Sequence, residues 1–186
     1  AVPNAERTCR LPNTITGNLR LPNNATYVID GPTLVGGGFN TGQATLTIDP
    51  GTLLIGSGAP SSYLGVQAGS RIFAEGTENA PIIFTGPTPT NGSWAGLAIA
   101  GNSVCNDSQG GQPCQFEAAP EIRFGGTATT ESSGVLRYVQ IRYTGQEVRP
   151  NEEFNSLTLL GVGSGTTMRL CAAASPLSSS SSLDLP

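Results

Sequence analysis

The chain alternates apolar and polar residues over short runs, stops at a turn, and begins again. Thr45-Leu46-Thr47-Ile48 is one such run; Pro50-Gly51 follows, and Leu53-Leu54-Ile55-Gly56 comes next. Alternation with period two sends one set of side chains to one face of a β-strand and the intervening set to the other. No window sustains a helical period, because Gly, Pro, Ser and Thr interrupt each one first. The pattern returns eighteen residues later: Leu64 answers Leu46, Val66 answers Ile48, Gly69 answers Gly51, Ile72 answers Leu54 and Phe73 answers Ile55. Tyr27-Val28-Ile29-Asp30, then Gly31-Pro32 and Leu34-Val35, form an earlier copy with a one-residue slip. Later runs cover 81–85, 95–99 and 136–143, and Val139 and Ile141 recur as Leu157 and Leu159.

A recurrence of eighteen to twenty residues with glycine at the corners predicts a solenoid. One coil cannot bury its apolar face alone, whereas stacked coils share a continuous core and build parallel sheets at ~4.8 Å per coil. The expected inward residues are Leu46, Ile48, Leu64, Val66, Leu97, Ile99, Val139, Ile141, Leu157 and Leu159. A β-sandwich also has short strands, but nothing in it requires one side-chain type to recur at a constant offset. The expected organisation is an all-β parallel β-helix of about seven coils over 21–170, an N-terminal cap segment over 1–20 and an irregular Ser-rich tail over 171–186.

Composition narrows the chemistry. There is no His, and the nine basic residues are all Arg. That removes Ser-His-Asp triads, Cys-His pairs, imidazole metal sites, Schiff-base lysines and the P-loop lysine. A net charge of −4 argues against nucleic acid as a partner. No apolar stretch approaches the roughly 18 residues of a membrane span. The chain opens Ala1-Val2-Pro3-Asn4 without Met, which suits a secreted or cell-surface protein after signal removal, or a trimmed sequence. Four cysteines suit an oxidising compartment. Cys105 and Cys114 bracket a polar, Gly-containing loop short enough to close as a local disulfide. Asn24, Asn91 and Asn106 begin Asn-X-Ser/Thr triplets, which matter only in a glycosylating host.

The blocks 46–52, 69–77 and 80–85, the segment Trp94-Ala95-Gly96-Leu97, and Gly134-Val135-Leu136-Arg137-Tyr138-Val139-Gln140-Ile141-Arg142-Tyr143 together resemble bacterial secreted proteins of the pectin-lyase-like class. The resemblance covers roughly residues 14 to 168. It implies a right-handed parallel β-helix and no particular activity, since a fold does not fix a function. Met168 and Arg169 begin another copy of the Leu136-Arg137 pattern, which then stops at Ala172-Ala173-Ala174 and the serines 178–182.

A lyase of the pectate type implied by this resemblance needs clustered Asp around Ca²⁺. Asp30 and Asp49 occupy similar turn positions, one repeat apart. Stacked, they would suit Ca²⁺; as ordinary turn residues they bond their own backbone and hold no cofactor. Glycoside hydrolysis needs two opposed carboxylates, and Glu75, Glu78, Glu117, Glu121, Glu147, Glu152 and Glu153 offer no marked pair. No catalytic residue is assigned. Arg137 and Arg142, read as lying in one strand whose other face is Val139 and Ile141, would form an outward ladder for an anionic polysaccharide, or simply protect the surface. The loops 101–125 and 144–155 are the other candidate glycan contacts. A Thr-X-Thr ice-binding array is excluded, because Thr45 and Thr47 give way to Tyr63 and Gly65.

The ends of such a rod expose unpaired strands unless capped. Seven coils separate the ends by about 30 Å, well beyond the ~7 Å reach of a disulfide. Cys9 and Cys171 therefore suit a disulfide between molecules stacked end to end. The leading expectation is a non-catalytic extracellular β-helix that forms a homo-oligomer or filament; the alternative is a domain that binds or cleaves polysaccharide.

Overall fold

A computed structural model describes residues 7–59, 61–106, 113–149, 152–169 and 172–174. No helix forms among them. The first turn of the coil consists of β1 (Thr8–Arg10), β2 (Thr14–Ile15) and β3 (Asn18–Leu21), and the second of β4 (Thr26–Ile29), β5 (Pro32–Val35) and β6 (Thr45–Ile48). The third is β7 (Leu53–Gly56), β8 (Tyr63–Val66) and β9 (Arg71–Glu75). The fourth begins with β10 (Ile82–Thr85) and β11 (Gly96–Ala100), leaves the coil for a hairpin of β12 (Cys114–Phe116) and β13 (Ala119–Phe124), and finishes with β14 (Gly134–Arg137). The fifth starts with β15 (Val139–Arg142), makes a second hairpin of β16 (Glu147–Arg149) and β17 (Glu152–Glu153), and continues through β18 (Leu157–Leu160) and β19 (Thr167–Arg169). β20 (Ala172–Ala174) lies over β15.

Three parallel sheets result. The first has the order β1-β4-β7-β10-β15-β20, the second β2-β5-β8-β11-β18 and the third β3-β6-β9-β14-β19. This is an all-β, right-handed parallel β-helix. The segment 1–20 was expected to cap it, but from Thr8 onward this segment supplies coil strands, with β1, β2 and β3 paired in parallel with β4, β5 and β6.

The eighteen-residue recurrence is not the coil. Thr45 pairs with Arg71, twenty-six residues on, and Pro32 with Tyr63, thirty-one on; only the first turn is short, with Thr8 against Thr26. Leu46 and Leu64 therefore lie in different sheets. Every side of the coil repeats the same four-residue alternation, so an offset of two sides, about two-thirds of a turn, reproduces the pattern without stacking it. Longer turns mean fewer of them. Among the described residues the first sheet has six strands and the others five, against the roughly seven coils expected.

Inward residues stack into columns. Ile15, Val35, Val66, Ile99 and Leu159 form one in the second sheet. Leu21, Ile48, Ala74, Leu136 and Met168 form one in the third. Cys9, Tyr27, Leu54, Phe84 and Ile141 form one in the first. Each fully buried Leu, Ile, Val or Phe removes apolar surface worth about 1.5–3 kcal/mol, and the interior members of all three columns are buried. Eight of the ten expected inward residues are buried, Leu157 packs partly buried against the core, and Leu159 is exposed. Leu159 is the last described member of its column.

A second core lies outside the coil. Tyr63, Ala98 and Ala100 point outward from the second sheet and are buried with Ala119, Ile122 and Phe154 from the hairpins β12–β13 and β16–β17 and their flanks. Tyr63 stacks on Phe154 with ring centroids 4.8 Å apart, and Phe116 meets the same ring edge-on at 5.0 Å. The outer face of the second sheet is thus covered by a side lobe.

Candidate functional site

The two aspartates expected to stack do not. Asp30 follows β4 at the end of the first sheet, and Asp49 follows β6 at the end of the third, so they occupy different corners. Each faces an arginine instead. Asp30 pairs with Arg10, and Asp49 accepts a hydrogen bond from Arg20 Nε at 2.8 Å. The Asp49 carboxylate, through that bond and its charge, holds the Arg20 guanidinium above the usual arginine value. Among the described residues no three His, Cys, Asp or Glu side chains gather as a metal-binding group.

Arg137 and Arg142 do not share a strand. Tyr138, with φ of +49°, turns the chain between β14 and β15, so Arg137 belongs to the third sheet and Arg142 to the first. The positive φ of a residue with a Cβ is what the sequence conceals, since glycine is the residue that favours such a corner. Arg142 donates to Gln140 of its own strand. Arg137 lies with its guanidinium carbon 5.7 Å from the Tyr138 ring centroid and pairs across the sheet with Glu75 and Arg169. Arg20, Arg71, Arg137 and Arg169 all belong to the third sheet, which also carries Phe73 outward between Thr47 and Val135.

The two ends of the coil differ. At the N-terminal end Ile15 and Leu21 are only 2% exposed, although they are the first members of their columns, while Cys9 is exposed and free. At the C-terminal end Leu159 and Met168, the last members of the same columns, are 38% and 41% exposed. Apolar side chains in column position, exposed where the other described members of their columns are buried, make these last described strands the candidate functional surface. Cys171 lies outside the described residues; Ala172, immediately after it, opens β20 at the opposite edge of the sheet from β1. Five strand spacings, about 24 Å, separate those edges.

The expected disulfide is present: Cys105 and Cys114 are joined, with Cα atoms 6.6 Å apart. It ties the start of the side lobe to β12. Glu131, which nothing in the sequence marks, fastens the lobe's exit to the last turns. Its carboxylate accepts from Gly163 N at 2.7 Å and from Ser133 Oγ at 3.2 Å. Trp94 is fully buried at the corner before β11, where its Nε1 donates to the Arg142 carbonyl at 2.8 Å. It is a packing residue.

Stacked columns, three parallel sheets and insertions at the corners define a right-handed parallel β-helix carrying one side lobe. The family model of the pectate-lyase like beta helix domain matches residues 13–177, and the chain belongs to that family. No curated protein matches the chain, and no solved structure does.

Proposed function

We propose that the chain is a non-catalytic, extracellular β-helix that self-associates through the C-terminal end of its coil. The observation that carries this reading is the exposure of Leu159 and Met168 in columns whose other described apolar members are buried. A second coil end placed on them removes apolar surface from water and gives the edge strands β18, β19 and β20 hydrogen-bonding partners. The disulfide supports an oxidising, extracellular setting. Because Ile15 and Leu21 are buried, the apolar demand lies at one end, and an isologous contact that closes as a dimer satisfies it. A head-to-tail filament would instead bring Cys171 of one copy to the exposed Cys9 of the next.

Sedimentation velocity over a wide concentration range tests this. Mass rising with concentration, and falling back to that of a monomer in Met168→Glu, supports the reading. A mass of 19.0 kDa at every concentration overturns it. Stopping at the dimer favours the isologous contact, and continued, reductant-sensitive growth favours the filament.

A second reading has its own support. The third sheet presents Arg71, Arg137 and Arg169 with the partly exposed Phe73 among them, a combination suited to an anionic polysaccharide. An acidic-glycan array, with Arg137→Gln as control, tests binding. Assay for unsaturated products in the presence of Ca²⁺ tests cleavage.

A further inference from the structure

A cleft of about 720 Å³ opens where the side lobe meets the second sheet. The Cys105–Cys114 disulfide, Val104, Gln115, Arg123, Phe124 and Leu160 are among its lining residues. Gln115 and Arg123 are cross-strand partners in the β12–β13 hairpin, so their side chains leave the same face of it. Phe124 follows Arg123, and the disulfide packs on Gly125, where even a methyl group would meet Cys105 Sγ at 2.7 Å. One wall of the cleft is therefore fixed, and it is apolar.

The chemistry of the lining is incomplete. Arg123 Nε is buried and has no hydrogen-bond partner. A guanidinium stays charged and carries only donors, and leaving such a donor dry and unpaired is unfavourable. Other arginines of the chain show how the need is met: Arg20 finds Asp49, Arg71 the Ser132 carbonyl and Arg142 the Gln140 amide oxygen. Arg123 Nε has no such partner, and Arg123 is one of the residues that line the cleft.

We propose that the cleft binds a small organic carboxylate, with Arg123 as the charged anchor. The planar fork of the guanidinium matches the two oxygens of a carboxylate, and Gln115 beside it offers an amide. Val104, 64% exposed, together with Phe124, Leu160 and the disulfide, provides an apolar wall for a ring or short aliphatic body. One guanidinium matches one carboxylate, so the ligand carries one charge. This site lies apart from the arginines of the third sheet, shares Leu159 with the proposed association surface, and is tested without reference to self-association.

The experiment titrates benzoate into the intact, disulfide-bonded chain and follows the arginine Nε–Hε signals by NMR, with benzamide and inorganic phosphate as parallel arms. Saturable movement of the Arg123 signal with benzoate, at least tenfold weaker binding of benzamide and phosphate, and a tenfold or greater loss in Arg123→Gln are expected. Benzamide binding as well as benzoate overturns the role of the charge. Phosphate binding as well as benzoate overturns the organic ligand. No movement with benzoate at any soluble concentration overturns the site. If Arg123→Gln disturbs the lobe, Arg123→Lys with the three wild-type titrations still decides among these outcomes.

Discussion

Trp94 shows how much one side chain can hold in a coil this narrow. Gly56 leaves the room it needs, since a Cβ there would lie 2.6 Å from the Trp94 Cβ. Phe84 stacks near it at 6.4 Å, and the indole N–H closes on the Arg142 carbonyl. Trp94→Ala leaves a cavity and an unpaired carbonyl, for an expected loss of about 3–5 kcal/mol, measured by far-ultraviolet circular dichroism in urea. Two glycines separate backbone strain from steric overlap. Gly17, at φ +79°, has nothing within 4 Å of an added Cβ, whereas at Gly134, φ +127°, the Cβ would overlap the Ile72 carbonyl oxygen. Gly17→Ala should cost about 1–2 kcal/mol, and Gly134→Ala several times that; equal losses would contradict the register of β9 and β14. Tyr27 sets a limit at high pH. Burial, with smaller contributions from Cys9 and Asp49, pushes its phenol above the usual value, and its hydroxyl donates to the Pro22 carbonyl at 2.9 Å. The folded chain thus holds the phenolic proton more tightly than the unfolded chain does. This stabilisation is complete below about pH 10, the unfolded value, and is lost as pH rises through the raised folded value. Urea midpoints should fall more gently above pH 10 in Tyr27→Phe than in the parent chain.

At the scale of elements, strands were legible because alternation is local, while their partners were not because pairing is remote. Leu46, Ile48, Leu64 and Val66 are buried as the alternation requires. Yet the same alternation on every side of the coil made an echo at eighteen residues look like a stack. Tyr138 hid a corner inside what read as one strand, and with it the separation of Arg137 from Arg142. The side lobe was legible only as polar loops and a closed Cys105–Cys114 ring. Its core depends on Tyr63, Ala98 and Phe154 meeting from three separate elements, and no local pattern announces that. The cleft at Arg123 was invisible for the same reason. Two changes test how the lobe is fastened. Glu131→Ala strands the Gly163 N–H and should cost about 1–3 kcal/mol, with hydrogen exchange accelerated around 161–165. Reducing Cys105–Cys114 should cost the lobe about 2–3 kcal/mol, accelerating exchange in β12 and β13 while the coil strands β6 and β9 keep their protection.

At the scale of the whole molecule, the described coil buries the apolar column residues of its first turn and exposes those of its last. The first turn is the shortest, and its inward residues Ile15 and Leu21 are buried; the last described members of those columns are not. That asymmetry carries the proposed association, and it rests on which strands lie over which. Interstrand contacts between backbone amide and α protons, read by NMR in the intact chain, test this register directly. The fold described here places Thr47 between Arg20 and Phe73, and Val66 between Val35 and Ile99. Contacts between those residues are the predicted result, and contacts linking Thr47 to Gly65, eighteen residues on, would contradict it.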